Sequence, residues 1–362
     1  MSAYITSIGT ANPDNRYQQE DIANFMCENL GLNAEQQRAL RVLYRATGIK
    51  ERYSVLDDYK RKKGGFKFFK NTPDLQPFPP TSERMRLYRE EAVPLAISAI
   101  TNCINGHQLS SFTHLITVSC TGMYAPGLDV DLIKTLNLSP TINRTSINFM
   151  GCYAAMNALT LAKQICDSQQ AKVLIVCVEL CTIHLQSSHN EDNLLAHSLF
   201  ADGAAATVVC SEASANSLEL VSNASYLAID GKHDMAWQIG DFGFEMALTT
   251  YVPNIIKGGI QDLTRNLLNG TELSLGDIDG YAIHPGGKKI LEAIENELGL
   301  KKEDNAHAYE VLKSYGNMSS PTILFVLQRI LKTMKDQDNI LSFAFGPGLT
   351  MESILFKSHR DV

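Results

Sequence analysis

NFMGCYAAMNAL, residues 148–159, is the stretch that decides the fold of this chain. It reads as a strand end that turns through Gly151 into an alanine-rich apolar helix, with Cys152 in the first turn. Such a helix would direct unpaired backbone N–H groups and the positive end of its dipole at the sulfur, which favours thiolate over thiol. Cys152 is therefore a candidate nucleophile. Taken alone, a segment of this kind more often contains a small buried cysteine that packs at a strand–helix corner than a nucleophile.

The overall composition is that of an ordinary globular protein. The 362 residues suffice for one large domain or two fused domains, and the net charge of −7 gives no indication of general nucleic-acid binding. No run approaches the roughly 18 apolar residues of a membrane span, and residues 1–8 read as a first strand rather than a signal peptide. We expect a cytoplasmic protein with no membrane insertion and no nucleic-acid partner.

The eight cysteines follow no regular spacing. Several lie inside apolar runs such as residues 173–178, where a reduced cysteine is a small core residue. Cys177, Cys181 and His184 are near enough in sequence to suggest a metal site. The paired short spacings of zinc sites are absent, however, so we expect no metal.

Apolar strands alternate with helices along the first half of the chain. The predicted strands are residues 114–120, 145–149, 172–179 and 204–210. Such alternation indicates an α/β fold with largely parallel sheets that are buried on both faces. The polar residues 211–217 separate two halves of similar plan, which places the domains at 1–212 and 213–362.

Two basic segments lie near the start of the chain. The predicted helix 34–47 carries Arg38, Arg41 and Arg45 on one face. Such a face is usually solvated, and the alternative is an anionic ligand beside it. Residues 59–80 are rich in lysine, aromatic side chains and proline, and we predict a long surface loop there.

Three predicted strands each end in a polar residue and a glycine-containing turn, and they supply Cys152, His284 and Asn317. Strand ends are where α/β proteins present chemistry, because a rigid sheet aims the side chains. Alone, His284 is equally explained as a structural histidine, and Asn317 as a turn or helix-cap residue. Together the three side chains form a set suited to nucleophilic catalysis.

Four ordered motifs resemble the type III polyketide synthases, the chalcone synthase-like enzymes. The motifs are residues 148–159, 283–287, 315–320 and 345–350, with residues 199–206 as a further match. The resemblance covers nearly the whole chain. It implies the thiolase fold, which has two pseudo-equivalent α/β halves in a five-layer αβαβα sandwich and is usually a homodimer.

The resemblance also implies an activity, iterative decarboxylative Claisen condensation on coenzyme A thioesters without an acyl carrier protein or a cofactor. An acyl-CoA would load its acyl group on Cys152, malonyl-CoA would extend it, and a cyclised pyrone, resorcinol or phloroglucinol type product would leave. A thiolate suits both attack on a thioester and departure from it. His284 and Asn317 would stabilise the enolate oxygen, and a cationic His284 would lower the pKa of Cys152.

A substrate cavity follows from the same resemblance. Phe200 matches one of two phenylalanines that, in the plant enzymes, flank the junction of the cavity and the coenzyme A tunnel, and Met246 replaces the second. Trp237 replaces a plant glycine. The other positions expected to shape the cavity are Cys120, Cys181, Ser319, Gly346, Pro347 and Gly348. For Cys181 and Met246 core packing is an equal alternative, and Met246 motivates the hypothesis of a long fatty acyl starter.

The family binds coenzyme A through basic residues on the helix that matches residues 34–47. Those positions here carry Ala39, Val42 and Ala46. Arginines lie next to them, and we assign coenzyme A binding to Arg41 and Arg45 because arginine suits phosphate. Lys288 and Lys289 are second candidates, with a solvated surface as their alternative role.

Two other functions stay open. An initiating ketoacyl-ACP synthase shares the Cys, His and Asn set, but residues 315–320 and Pro347 are of the polyketide synthase type. Acceptance of free coenzyme A thioesters rather than carrier protein would discriminate between them. A catalytically silent thiolase-fold binding protein is disfavoured because all three residues are intact, and an absence of acyl loading would favour it.

Overall fold

The computed structural model describes residues 2–104, 106–186, 190–249 and 251–360. Its helices are α1 (Gln19–Asn29), α2 (Ala34–Ala46), α3 (Thr81–Cys103), α4 (Leu128–Leu136), α5 (Ala154–Ser168), α6 (Glu191–Leu199), α7 (Val252–Leu268), α8 (Lys288–Leu298), α9 (Ala306–Tyr315) and α10 (Thr322–Thr333). Its strands are β1 (Tyr4–Ala11), β2 (Asn15–Gln18), β3 (Glu51–Ser54), β4 (His114–Ser119), β5 (Asn143–Asn148), β6 (Lys172–Leu180), β7 (Asp202–Cys210), β8 (Asn216–Leu227), β9 (Met235–Gly240), β10 (Gly243–Leu248), β11 (Gly280–Ile283), β12 (Asn339–Gly346) and β13 (Thr350–Arg360). None of these helices is long and apolar enough to span a membrane.

Nine strands form one central sheet in the order β11-β12-β13-β8-β1-β7-β6-β4-β5. Strand β1 joins the two halves, because it pairs with β7 of the first half and with β8 of the second. The predicted boundary at 212/213 lies between β7 and β8 and stays a prediction.

The sheet is mixed, so the expectation of largely parallel sheets is wrong. The pairs β4–β5, β4–β6 and β11–β12 are parallel. The other five neighbouring pairs are antiparallel. A continuous apolar run indicates that both faces of a strand are buried under helices. An antiparallel strand that is buried on both faces has the same sequence pattern as a parallel one, so the pattern does not give the strand direction.

Strand β6 shows how the sheet is covered. Its residues 173–178 alternate in direction, as strand geometry requires. The odd-numbered side chains pack in the core cluster that contains helix α5, and the even-numbered ones pack in the cluster that contains α3. The two helices therefore fix the sheet from opposite sides, and the strand ends lie at a rigid edge where side chains can be aimed.

Residues 61–80 form no helix or strand, as predicted for the long loop. The carboxylate of Asp58 holds the segment by accepting the backbone N–H groups of Lys67, Phe68 and Phe69 at 2.7–2.9 Å. Several of its aromatic side chains are buried in the α3 cluster, among them Phe69, which is 1% exposed. The segment is thus part of the core, because burying the aromatic rings outweighs solvating the lysines beside them.

Helix α3 and strand β1 approach each other most closely at Gly9. A Cβ atom added there would lie 2.3 Å from the backbone nitrogen of Cys103 and 2.4 Å from the backbone oxygen of Ala99. Both contacts are with backbone, which cannot rotate away. A larger residue at position 9 would therefore push α3 off the sheet.

Gly9→Ala is expected to lower the free energy of unfolding by about 1–3 kcal/mol, the usual effect of overpacking a core. The measurement is the midpoint of urea unfolding. Gly258→Ala is the matched control, because Gly258 lies in α7 with no atom within 4 Å of the added Cβ. That change should stabilise the protein by roughly 0.5–1 kcal/mol through helix propensity. Equal shifts of the unfolding midpoint in Gly9→Ala and Gly258→Ala would contradict the close contact of β1 with α3 at Gly9.

Candidate active site

Cys152 lies in a short 3-10 turn, Gly151–Tyr153, and helix α5 begins two residues after it. The turn needs a glycine, because Gly151 has φ of +79° and a Cβ there would lie 2.1 Å from Cδ of Pro347. The backbone N–H of Gly151 donates to Sγ of Cys120 at 2.8 Å. Cys152 is thus held by contacts from both halves of the chain.

Asn317 faces this cysteine with its amide 3.9 Å from Sγ of Cys152. Its Oδ1 accepts the backbone N–H of Ser319 at 2.8 Å, and its Nδ2 donates to the backbone oxygen of Gly286 at 3.2 Å. An amide nitrogen carries two hydrogens, and the second N–H of Asn317 is directed at Sγ of Cys152. Backbone hydrogen bonds to Leu199 and Ala201 fix the position of the residue.

His284 follows strand β11, and its ring is buried with 1% exposure. Neither ring nitrogen has a hydrogen-bond partner among the residues that the structure describes. Buried polar atoms are nearly always paired, so two free nitrogens facing a cavity indicate a ligand that pairs with them. The Cys152, His284 and Asn317 side chains line the same cavity.

Burial sets the titration of the pair. It raises the pKa of Cys152 to about 11, although hydrogen bonds from Ser319 and Asn317 offset part of the shift. It lowers the pKa of His284 to about 3. Burial thus disfavours either charge on its own. Transfer of the proton from Cys152 to His284 would create two opposite charges that stabilise each other, so the expected cationic His284 stays a prediction.

The sequence analysis missed Glu179, a fully buried carboxylate behind the site. Its Oε2 accepts the backbone N–H of Cys120 at 2.9 Å and the hydroxyl of Thr121 at 2.7 Å. Its Oε1 accepts the hydroxyl of Ser320 at 2.6 Å. Burial raises the pKa of Glu179 to about 6 even so. The carboxylate thus joins the loop after β4 to the segment that carries Asn317, and a charged residue at the end of an apolar run was the available signal.

Most of the predicted cavity residues line the cavity together. With the three reactive side chains are Phe200, Met246, Cys120, Cys181, Trp237, Ser319 and Pro347. Gly346 and Gly348 are not among the lining residues. Gly346 instead packs against the ring of Tyr153, where an added Cβ would lie 2.5 Å from the ring, and Gly348 provides a turn with φ of +76°.

One wall of the cavity is the hairpin of β9 and β10, in which Trp237 lies opposite Met246. The indole Nε1 donates to the backbone oxygen of Cys120 at 2.8 Å, and its ring meets His184 edge-on at 5.7 Å. His184 itself stacks on Phe244 at 4.3 Å between ring centroids. Both ring nitrogens of His184 are hydrogen-bonded, Nε2 with the backbone oxygen of Thr121 at 2.8 Å and Nδ1 with the backbone N–H of Phe244 at 2.9 Å. This wall is therefore fixed by hydrogen bonds and ring contacts. The described residues contain no group of three or more side chains placed to hold a metal ion.

The cavity is narrow. About 60 Å³ of it is open to a water molecule, well below the roughly 300 Å³ of small ligand pockets. The half-buried Met246 is unbranched and has three rotatable side-chain bonds, whereas Trp237 is held in place. Substrate entry therefore requires movement, and Met246 is the side chain best suited to it.

An apolar groove lies next to this cavity and shares lining residues with it. Leu248, Gly286 and Ile290 line both the groove and the cavity. Helix α2 lines the groove with alanine and leucine side chains, whereas Arg41 and Arg45 are not among its lining residues. Arg41 instead donates to Oδ1 of Asn24 on α1. The cations at the groove are Lys288 and Lys289 at the start of α8.

Comparison with known proteins agrees with this geometry. The family model "Chalcone and stilbene synthases, N-terminal domain" matches residues 1–213, and the corresponding C-terminal domain model matches residues 219–360. The protein named alpha-pyrone synthesis polyketide synthase-like Pks18, from Mycobacterium tuberculosis, is 33% identical over 98% of this chain and 91% of its own length.

Solved structures are similar as well. PKS-I from the brown alga Ectocarpus siliculosus has a TM-score of 0.91 and 31% identity, and the match covers 98% of both chains. The C-terminal type III polyketide synthase domain of Steely1, a type I/III hybrid from Dictyostelium, has a TM-score of 0.91 and 26% identity over 99% of both chains. The predicted thiolase fold is confirmed. The chain therefore belongs to the chalcone and stilbene synthase family and is a type III polyketide synthase, a condensing enzyme that transfers acyl groups.

Proposed function

We propose that Cys152 carries the acyl chain during condensation and that His284 and Asn317 bind the thioester oxygen. The observation that supports this assignment is the convergence of the three side chains on one cavity, where an N–H of Asn317 is directed at Sγ of Cys152 and neither ring nitrogen of His284 has a partner among the described residues. Asn317 stays a neutral donor, and either protonation state of His284 offers an N–H. Donors held in advance stabilise an oxyanion most effectively where water is excluded.

Loading begins when the thiolate of Cys152 attacks the carbonyl carbon of the starter thioester. The coenzyme A thiolate leaves, and the acyl group remains on sulfur. Malonyl-CoA then loses carbon dioxide, and the electron pair of the broken C–C bond forms an enolate whose oxygen lies between His284 and Asn317. The enolate carbon attacks the acyl group on Cys152, which releases the cysteine thiolate and gives an acyl-CoA that is two carbons longer and can load again.

An apolar starter is the further part of the proposal. Met246, Phe244, Leu248 and Met235 line the cavity, and an aliphatic acyl chain is the ligand that gains most from such a lining. A long fatty acyl chain would require Met246 to move aside. For release we propose a cyclised pyrone, resorcinol or phloroglucinol type product, and the similarity to a protein named for alpha-pyrone synthesis favours the pyrone.

Two properties of the assembly belong to the same proposal. Strand β5 is an edge of the central sheet, and residues 143–146 are exposed. Exposed edges pair readily, so a second copy that covers β5 in a homodimer is consistent with this surface. All eight cysteines are free, which supports a reducing, cytoplasmic location. We propose coenzyme A thioesters as substrates and no further cofactor.

Cys152→Ala is expected to abolish product formation, because no other group holds the acyl chain. The measurement is mass spectrometry of protein and products after incubation with malonyl-CoA and a panel of acyl-CoA starters. The native protein should show an acyl adduct on Cys152 and a cyclised product. Cys181→Ala, a change of the same kind in the same cavity, should keep the adduct. A native protein that forms neither adduct nor product with any starter would refute the proposed function.

The ionisation of the pair gives a pH prediction. If His284 is cationic beside the thiolate, alkylation of native Cys152 by iodoacetamide should already be fast near pH 6–7 and change little up to pH 8. In His284→Gln the buried thiol has no imidazole to accept its proton. The alkylation rate should therefore rise only at alkaline pH, as the pH approaches the thiol pKa of about 11. Identical profiles for the two proteins, both rising in alkali, would show that the resting site is neutral.

Coenzyme A anchoring is proposed at Lys288 and Lys289, since these cations lie at the groove. Changing both to glutamine should raise KM for malonyl-CoA about tenfold with kcat nearly unchanged, because phosphate contacts far from sulfur hold substrate and transition state equally. The assignment of coenzyme A binding to Arg41 and Arg45 stays a prediction. A larger KM effect from changing these two arginines to glutamine would reassign the site to α2, and Lys335→Gln, outside the groove, is the control.

A further inference from the structure

Helix α6 places two polar side chains, Asn193 and His197, on the cavity wall. They are four residues apart and therefore lie on the same face of the helix. Asn193 is buried, with 6% of its surface exposed. Within the described part of the chain, the side-chain amide of Asn193 and the Nδ1 atom of His197 make no hydrogen bond. The position of this pair on the wall, with unused hydrogen-bonding atoms, is what a ligand contact requires.

The hydrogen bond on the other side of His197 decides which atom carries its proton. The backbone N–H of Gln186 donates to Nε2 of His197 at 3.0 Å, so this nitrogen has no hydrogen. Burial lowers the pKa of His197 to about 3, and the nearby Arg52 and Arg84 lower it further. The ring is thus neutral with its proton on Nδ1, which makes Nδ1 a hydrogen-bond donor.

The cavity that the pair lines is mainly apolar, with Met235, Phe244 and Leu248 among its lining residues. The amide of Asn193 and Nδ1 of His197 have no partner in the described part of the chain, so a ligand oxygen placed beside them would gain their hydrogen bonds. The ligand that the two donors fit therefore carries hydrogen-bond acceptors within a chain that is otherwise apolar.

The starter does not meet this requirement, because a fatty acyl thioester has one carbonyl oxygen and the Cys152 site binds it. Each condensation, however, adds a ketone oxygen to the chain. A ketone oxygen only accepts hydrogen bonds, and the amide N–H of Asn193 and the Nδ1–H of His197 only need an acceptor. The match appears only after condensation has begun.

We propose that Asn193 and His197 bind ketone oxygens of the growing poly-β-keto chain and thereby set how many malonyl units are added before release. The inference rests on the proposed function and names a new contact for its intermediate. The two residues favour longer intermediates over shorter ones, because a longer chain brings more ketone oxygens to α6. They do not act on the loading of the starter.

Asn193→Leu keeps the branching at Cγ of the native residue but has no polar atom, so it tests the contact directly. We expect the ratio of longer to shorter products to fall about tenfold, as the loss of one buried hydrogen bond would produce. Acyl loading of Cys152, followed by mass spectrometry, should be unchanged. Asn254→Leu makes the same chemical change on an exposed face of α7 and should leave the ratio as it is.

His197 provides a second, independent test. His197→Gln keeps an acceptor for the N–H of Gln186 and an N–H donor, so it should retain more of the native product ratio than His197→Phe, which has neither. If Asn193→Leu does not fold, Asn193→Ala and the two His197 variants test the proposed contact in its place. An unchanged product ratio in a folded Asn193 variant and in folded His197→Phe would overturn the inference. A loss of starter loading on Cys152 in an Asn193 or a His197 variant would also overturn it. A native enzyme that forms no product would refute the proposed function instead.

Discussion

The site depends on one contact, in which the turn of Cys152 packs against Pro347 with no space for another atom. A Cβ at Gly151 would overlap the proline ring, and a Cβ at Gly346 would lie 3.2 Å from the backbone nitrogen of Cys152. Cys152 comes from the first half of the chain and Pro347 from the second. Neither half alone holds Cys152 in this position, so the geometry of the candidate site depends on the packing of the two halves against each other.

Glu179 reinforces the same junction by a different interaction. A carboxylate with no exposed surface is unfavourable unless several donors surround it, and here they come from Cys120, Thr121 and Ser320. Because the segment with Ser320 also carries Asn317, the hydrogen bonds of Glu179 help to fix the distance between this amide and Cys152. A single buried charge thus connects the stability of the fold with the precision of the site.

The sequence predicted what local pattern encodes, and the rest depended on tertiary contacts. Helix α2 has clear periodicity, and Cys152, His284 and Asn317 lie in distinctive turns, so all were found. The hairpin with Trp237 has six-residue strands that face a cavity rather than a core, which erases the alternation that reveals strands. Asn193 and His197 were missed because a polar residue facing a cavity has the same sequence pattern as one facing solvent.

The shared lining of the groove and the cavity by Leu248, Gly286 and Ile290 has a kinetic consequence. If both thioesters enter along this groove, the coenzyme A released by one must leave before the other can bind. Turnover would then follow a ping-pong order. A high concentration of either thioester would slow the reaction by occupying the passage at the stage when the other thioester must bind. Because they would share one passage, the starter thioester and malonyl-CoA would compete for entry even though both are needed for the reaction.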